Sequence, residues 1–500
     1  MNPRLKRSVD LTRFLPEIAI VLLLALLTLN RLGAADVCGG SEAAMAVYVQ
    51  QMIEHKQLLF PLDNCTIPMY KPPLYHWTAT ALAFLFRQQT ATSFLLRLPS
   101  AAYAIGGAIL TMVFARNVMN RRAAILAGLI LCGSYQYISQ ARIGLVDMTL
   151  TFFETLVLYA FFGWFTLAGK DTAARWRRTF LHYICATAMG LAVLAKGPVG
   201  SIVPGLAIVI FLLWEKSWAA LRELFKAGPL VTGAVIGSSW YLACLVGHRF
   251  DFLSLQIGSE NLGRFFGSLG TMAPWYYLQP LLLNSLPLSL FVPAAVISAL
   301  RRGRPTAALA VTTSASPTFL STGALGARFL AIFWVCTVAF FEFASYKRRA
   351  YLLPLWPASA LLLAWCLFDR IIPRLGRPAE ILSHRAAVTL CLLLAAANFL
   401  FIPAYELHGC GAPFTFDALF RWPSAGFAGE SSMESGQTES YRGASAEINR
   451  LTHFDRPLFV SGIRDALEPF VFYLDRCARP LRADTPHTVG YVIMTEKKWE

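Results

Sequence analysis

The chain has 500 residues, of which 56% are hydrophobic and 15% are charged, and its formal net charge at pH 7 is +15. Because a soluble domain carries about 25% charged residues, this composition excludes an ordinary soluble protein and indicates many membrane spans. The basic residues form short clusters between apolar runs, which is the pattern of membrane topology. Without a recognisable nucleic-acid-binding module, the charge argues against binding to nucleic acid.

Apolar segments long enough to cross a ~30 Å hydrocarbon core recur along the chain and predict about eleven spans. The first is interpreted as a retained span, because no convincing small-residue cleavage site follows it. Residues 74–86 are apolar but too short to cross, so we expect an interfacial or re-entrant helix there. The predicted spans lie at roughly 14–32, 93–115, 123–141, 146–168, 179–195, 199–214, 228–247, 275–299, 327–344, 351–368 and 386–404.

The loops between these spans alternate in charge, and six clusters of Lys and Arg fall on one side. By the positive-inside rule that side is cytoplasmic. The opposite side then receives the loops 33–92 and 248–274, the short polar segments near 147, 196 and 345–349, and everything after about 405. We therefore predict a transmembrane domain over 1–404, with a catalytic loop at 33–92 on the external side.

The tail from 405 to 500 has a different composition. Residues 409–440 are rich in Gly, Ser and Pro, and patterns typical of helices follow at 444–451 and 466–474. Patterns typical of strands occur at 457–461 and 489–494. These predict a small extramembrane α/β domain.

The ten cysteines divide into two groups. Six lie within predicted spans and are expected to be packing residues. Cys38 and Cys65 share the first external loop, and Cys410 and Cys477 share the tail, which would allow two disulfides if that side is oxidising. No CxxC or Cys/His metal spacing occurs.

Two carboxylates are candidates for catalysis. Glu42 follows the first span, and Asp147 begins the fourth span on the same predicted side. Carboxylates at a membrane edge are costly and tend to be functional, and a pair can divide the work of accepting a proton and orienting the nucleophile. The alternative is structural, because acidic residues in the first turn of a helix are favoured by its dipole.

Four basic residues are candidates for binding a phosphate: Lys71, Lys196, Arg264 and Lys347. All four fall on the external side, where positive charge is otherwise sparse. A lipid phosphate needs such donors, because its charge must be stabilised in a low-dielectric site. The alternatives are snorkelling toward lipid head groups and, for Glu260 and Arg264, a simple pair one helical turn apart.

Eight short motifs occur in one order along nearly the whole chain, and each is weak alone. In that order the chain resembles the GT-C glycosyltransferases that use polyprenyl-phosphate-linked sugars, in particular the bacterial lipid A aminoarabinose transferases and the protein O-mannosyltransferase family. The motifs are Ser41-Glu42-Ala-Ala-Met-Ala-Val-Tyr48, Tyr70-Lys71-Pro-Pro-Leu-Tyr-His-Trp77, Arg97-Leu-Pro-Ser100, Ala141-Arg142…Asp147, Leu194-Ala-Lys196-Gly-Pro-Val-Gly200, Glu260-Asn-Leu-Gly-Arg264-Phe265, Pro274-Trp-Tyr-Tyr277 and Ser345-Tyr-Lys347…Tyr351-Leu-Leu-Pro354.

The resemblance implies an inverting transfer of a sugar from undecaprenyl phosphate to a lipid A-like or protein acceptor, at the periplasmic face of the bacterial inner membrane. Lys71 matches the lysine that contacts the donor phosphate in this family. Arg264, Lys196 and Lys347 are then supporting donors.

The chain departs from the family pattern at two places. Ser41 stands where the family has an aspartate that acts as acid or base, so Glu42 or Asp147 carries that role, or an already ionised acceptor phosphate needs no base. Tyr70 replaces a metal-binding glutamate and no histidine lies near Arg264, so we predict no bound metal and no cofactor.

Two other classes of protein are the alternatives. A lipid-linked sugar transporter or binding protein that has lost catalysis is consistent with Ser41, although a transporter should show internal repeats and none is visible. A cytoplasmic-face transferase that uses nucleotide sugars conflicts with the charge topology and with the lack of a paired-aspartate metal motif.

Overall fold

The structure is a computed structural model, and it consists almost entirely of helices. It describes residues 14–37, 40–63, 67–167, 172–267, 270–283, 285–301, 319–374 and 377–408, together with three short strands after residue 457.

The first half of the described chain is a series of α-helices joined by short turns, with one two-stranded antiparallel ribbon before the third helix. The ribbon pairs β1 (Leu62–Asp63) with β2 (Ile67–Pro68). The helices are α1 Leu15–Leu29, α2 Gly40–Glu54, α3 Leu74–Leu85, α4 Ser93–Val118, α5 Arg121–Gly133, α6 Tyr135–Ala141, α7 Val146–Thr166, α8 Thr172–Lys196, α9 Val199–Trp214, α10 Trp218–Leu224 and α11 Ala227–Val246.

The second half is less regular, because short 3₁₀ and π-helical segments interrupt the α-helices. The π-helical segments are Ser254–Gly263 and Cys366–Ile371. The 3₁₀ turns are Leu288–Phe291, Arg349–Leu352 and Ile372–Arg374. The α-helices are α12 Phe250–Leu253, α13 Arg264–Phe266, α14 Leu278–Leu283, α15 Val292–Leu300, α16 Phe319–Phe343, α17 Leu355–Trp365 and α18 Arg377–His408.

Six helices in the described ranges are long and apolar enough to cross a membrane, and three shorter apolar helices accompany them. Each of the eleven predicted spans falls on helical structure, but the number that cross stays a prediction. The span expected at 123–141 is divided at Ser134 into α5 and α6, and the one expected at 275–299 is interrupted before Leu288. Proline at 280 and 287 lacks the N–H that a continuous helix needs, which accounts for the second interruption.

The core lies where the long helices pack side by side. α7 packs along α8, and α8 packs along α11. Small residues allow the close approach of α8 and α11, since a Cβ placed on Gly190 would lie 2.6 Å from the carbonyl oxygen of Gly233. On the other side of α7, the rings of Phe161, Phe211 and Phe329 pack against one another with centroids 5.0–6.2 Å apart.

The short helix expected at 74–86 is present as α3, and its position relative to the membrane stays a prediction. The described part of the tail is a three-stranded parallel sheet in the order β4-β3-β5, with β3 Leu458–Ser461, β4 Ala478–Pro480 and β5 Tyr491–Met494. β3 and β5 coincide with the two predicted strands, and β4 was not predicted. The helices expected at 444–451 and 466–474 lie outside the described residues, so the α/β domain as a whole stays a prediction.

The six cysteines expected to be packing residues are free thiols within the helices. Both proposed disulfide pairs, Cys38–Cys65 and Cys410–Cys477, lie outside the described residues.

Candidate functional site

Charged and aromatic side chains from five separate segments form one continuous chain of contacts, which we call the cationic relay. It begins at Lys71, which forms an ion pair with Glu260. Arg264 pairs with the same glutamate and donates a hydrogen bond to the Tyr351 hydroxyl. Lys196 lies over the ring of Tyr351 and forms an ion pair with Asp147. Three of the four predicted phosphate-binding residues are therefore brought together, along with one predicted catalytic carboxylate.

Lys71 is positioned by the two prolines that follow it. Pro73 adopts a helical backbone conformation and precedes the first residue of α3, so the chain turns sharply just after the lysine. The Lys71 side chain is 13% exposed. Its Nζ lies 5.3 Å from the centre of the Tyr70 ring. The tyrosine that replaces the family's glutamate thus contacts the lysine as an aromatic neighbour.

Glu260 and Arg264 lie on the segment that follows α12. Arg264 Nη2 is 2.7 Å from Glu260 Oε1, and Arg264 Nη1 is 3.2 Å from the Tyr351 hydroxyl. The Glu260–Arg264 pair expected from the i, i+4 spacing is present. Because Glu260 also binds Lys71 and Arg264 also donates to Tyr351, a simple pair accounts for only part of the contacts of these two residues.

Lys196 and Asp147 meet because one helix ends where another begins. α8 ends at Lys196, and Gly197 continues the chain with φ +95°, a conformation that favours glycine. Asp147 lies in the first turn of α7, as its helix-dipole interpretation requires, yet its carboxylate binds Lys196 Nζ. The Lys196 Nζ is 4.5 Å from the centre of the Tyr351 ring.

The relay carries three cationic side chains and two carboxylates. Burial, together with Arg264 and Lys196, lowers the pKa of the Lys71 ammonium to about 8, against the opposing attraction of Glu260. Burial would raise the pKa of the Glu260 carboxyl, but Lys71 and Arg264 outweigh it and hold that pKa below its usual value. Both pKa shifts describe a partly dehydrated cluster with a surplus of positive charge, which suits an anionic ligand.

Glu42 lies apart from the cationic relay in a bonding network of its own. Its carboxylate receives Arg97 Nε at 2.9 Å and Arg97 Nη2 at 3.0 Å, and Oε1 also accepts the Gly144 N–H at 2.7 Å. Its catalytic role stays a prediction, and these bonds describe a carboxylate already committed to holding helices together. Ser41, its neighbour, has its hydroxyl 3.5 Å from Arg348 Nη1.

Lys347, the fourth predicted phosphate donor, makes other contacts. Its Nζ is 3.2 Å from Glu342 Oε1 and 3.2 Å from the carbonyl oxygen of Ala273. Among the contacts of the described chain, none joins Lys347 to the cationic relay. Its phosphate-binding role stays a prediction.

Sequence reasoning missed three residues of this region. Tyr351 and Arg97 lie inside the motifs named above but were given no role, and Arg348 was not singled out. Because aromatic rings are common partners of cations, Tyr351, four positions after Lys347, could have been singled out from the sequence. No signal in the sequence connects Glu260 to Lys71, which is 189 residues away.

A metal site was not expected, because Tyr70 replaces a ligand. Within the residues that the structure describes, no three His, Cys, Asp or Glu side chains are grouped as a metal site requires.

The fold and the motifs resemble those of GT-C glycosyltransferases that use polyprenyl-phosphate sugars, as predicted, and comparison with known proteins confirms the resemblance. The family model described as dolichyl-phosphate-mannose-protein mannosyltransferase matches residues 50–247. Together with the apolar helices, this family match and the similarity to the membrane-bound transferases described next place the chain in a membrane.

Two relatives are undecaprenyl phosphate-alpha-4-amino-4-deoxy-L-arabinose arabinosyl transferases. The one from Pseudomonas fluorescens Pf0-1 is 27% identical over 61% of this chain and 51% of its own length. The one from Pseudomonas aeruginosa UCBPP-PA14 is 24% identical over 72% of this chain and 61% of its own. The chain thus spans between half and two thirds of the length of these relatives.

Solved structures share the fold at low sequence identity. ArnT from Cupriavidus metallidurans, crystallised with undecaprenyl phosphate, is 20% identical with a TM-score of 0.71, covering 97% of this chain and 90% of its own. The archaeal oligosaccharyltransferase AglB from Archaeoglobus fulgidus is 13% identical with a TM-score of 0.55, covering 94% of this chain and 64% of its own.

Proposed function

We propose that this chain is a membrane glycosyltransferase that moves a sugar from an undecaprenyl or other polyprenyl phosphate donor to a lipid or protein acceptor. The observation that carries this proposal is the cluster of three cations around Glu260 and Tyr351, in which Lys71 and Arg264 pair with Glu260 while Arg264 and Lys196 contact Tyr351. The relay has one more cation than carboxylates, and a surplus of positive charge in a partly buried site is costly unless an anion occupies it. The arabinosyl transferase relatives and the ArnT crystal structure support a polyprenyl phosphate as that anion.

In the proposed reaction, an oxygen of the acceptor forms a bond to the anomeric carbon while the bond from that carbon to the donor phosphate oxygen breaks. The electron pair remains on the phosphate, and inversion follows from attack opposite the leaving group. Lys71, Arg264 and Lys196 then stabilise the charge that develops on the phosphate oxygen. By the predicted charge topology, the reaction takes place at the periplasmic face of the inner membrane.

The bonding of the carboxylates bears on the acceptor. Glu42 is bound by Arg97, and Asp147 is bound by Lys196. Lys196 binds Oδ1 of Asp147, so a proton from an attacking hydroxyl would have to pass to the other oxygen, Oδ2. Arg348 beside Ser41 instead places a positive charge where the family has a carboxylate. This arrangement favours an acceptor that attacks through an already ionised group such as a phosphate.

Undecaprenyl phosphate binding to the purified full chain tests the donor site. We expect saturable binding that weakens by roughly 10- to 100-fold in Lys71→Ala and in Arg264→Ala, because each removes a charge-assisted hydrogen bond. Arg249→Ala, which removes a half-buried arginine paired with Asp251 outside the relay, is the matched control and should bind like the wild type. Binding that ignores both substitutions would contradict the proposal.

A catalytically altered lipid-linked sugar transporter or binding protein is the alternative. Ser41 at the position of the family's aspartate, together with the committed carboxylate of Glu42, favours it. Binding of undecaprenyl phosphate without transfer to any lipid or protein acceptor would select this alternative.

A further inference from the structure

The Glu260 carboxylate bridges two of the cations assigned to the donor phosphate. Its Oε2 binds Lys71 Nζ, and its Oε1 lies 2.7 Å from Arg264 Nη2. The Glu260 side chain is 10% exposed, so these ion pairs are largely shielded from water. Two oxygens of one anion held by two separate cations is also the arrangement that a phosphate would adopt between them.

We propose that Glu260 is a resident substitute for the donor phosphate, which must displace its carboxylate from Lys71 and Arg264 in order to bind. This inference rests on the proposed function, since it takes these two cations as the phosphate site. A carboxylate and a phosphate that approach Lys71 and Arg264 from the same side compete for the N–H groups on that side, and their like charges repel at contact distance.

The segment that carries Glu260 has the features of one that changes conformation. Ser254–Gly263 is π-helical over ten residues, whereas π-helical turns are ordinarily single and occur at functional sites. The Gln256 side chain in this segment is fully buried beside the Tyr241 hydroxyl, so its amide is shielded from water.

Exchange between the Glu260 carboxylate and the lipid phosphate also assists release of the product. Transfer of the sugar converts a phosphodiester with one negative charge into a phosphomonoester that carries about two at neutral pH. The product would therefore bind the cations more tightly than the substrate. A glutamate that competes for Lys71 and Arg264 shortens the time that the product remains bound.

The experiment compares undecaprenyl phosphate binding to the full chain in wild type and in Glu260→Gln at pH 7. We expect Glu260→Gln to bind at least about fivefold more tightly with slower dissociation, because the competing charge is gone. Glu223→Gln is the matched control, since Glu223 pairs with Arg178 and Lys226 rather than with a residue assigned to the donor phosphate, and the affinity of this variant should not change. If Glu260→Gln fails to fold, Glu260→Asp replaces it. The shorter aspartate side chain cannot span both cations, so this variant should also bind the lipid more tightly than the wild type.

The outcomes separate this inference from the proposed function. If Glu260→Gln binds the lipid as weakly as Lys71→Ala, Glu260 positions the cations and the inference is wrong while the donor site stands. Unchanged affinity in Glu260→Gln overturns the inference in the same way. If Lys71→Ala and Arg264→Ala also bind like the wild type, the proposed function itself fails.

The pH dependence supplies a second readout. The charged groups facing Lys71 are Glu260, Arg264 and Lys196. Of these, only Glu260 favours the protonated form of Lys71. Removing that carboxylate should shift the loss of affinity to lower pH than in the wild type, while the affinity at neutral pH rises. A role confined to folding would leave the midpoint of this pH profile unchanged.

Discussion

Arg97 and Glu42 face each other through two parallel contacts, from Nε to Oε1 at 2.9 Å and from Nη2 to Oε2 at 3.0 Å. The remaining Arg97 N–H groups donate to the carbonyl oxygens of Leu32, Ala35 and Asp36. The arginine thus ties the segment after α1 to the first turn of α2. Both side chains are less than 10% exposed.

We expect Glu42→Gln to destabilise the fold by about 3–5 kcal/mol, because it leaves a buried guanidinium without its counter-charge. Thermal unfolding in detergent measures the loss. Glu17→Gln is the control, since Glu17 pairs with the largely exposed Arg121 and should cost about 1 kcal/mol or less. A Glu42→Gln protein that unfolds like the wild type but transfers no sugar would instead favour the catalytic role.

Lys71 predicts how donor binding depends on pH. Because the pKa of Lys71 lies at about 8, the ammonium is charged at pH 7 and loses its proton as the pH rises through 8. Undecaprenyl phosphate affinity should therefore fall between pH 7.5 and 9, a range in which the phosphate is already fully ionised. Lys71→Arg should remove this fall, since arginine stays protonated. A wild-type affinity that is constant up to pH 9 would contradict the prediction.

Asp147 predicts a separation between binding and chemistry. If it accepts the acceptor proton, Asp147→Asn should lower the rate of sugar transfer by about 10²–10⁴-fold while donor binding is retained, because loss of this carboxylate leaves Lys196 available to the phosphate. Single-turnover transfer and equilibrium binding are measured on the same preparation. Asp251→Asn, at an exposed pair with Arg249, is the control. Undiminished transfer in Asp147→Asn would indicate an acceptor that needs no base.

His76 predicts a loss of stability in acid. It is fully buried in α3, and burial lowers the pKa of its imidazole to about 3, below the ordinary value of 6.5. Between these values the unfolded chain binds a proton that the folded chain does not, so stability is full above pH 6.5 and declines as the pH falls. The decline attributable to His76 is about 2 kcal/mol from pH 7 to pH 5.

Thermal unfolding at pH 7, 6 and 5 tests this prediction. His76→Gln should reduce the acid-induced loss, whereas His55→Gln, at an exposed histidine, should not. Equal acid sensitivity in all three proteins would show that other groups control the decline.

The sequence by itself determined where helices form and which polar residues interrupt them. Apolar runs of sufficient length located helices at all eleven predicted spans, and local proline and glycine residues set the turns beside Lys71 and Lys196. The two predicted tail strands were also correct. These features depend on local hydrophobicity and backbone conformation, which adjacent residues specify.

Only the tertiary structure decided which charges meet. Glu42 binds Arg97 of α4. Glu260 binds Lys71, which is 189 residues away in the sequence. Lys196 at the end of α8 binds Asp147 at the start of α7. Any of these carboxylates could pair with several cations of the external side. Helix packing selects among them, because an ion pair forms only where side chains from distant segments are brought within about 4 Å, and sequence spacing contains no such distance.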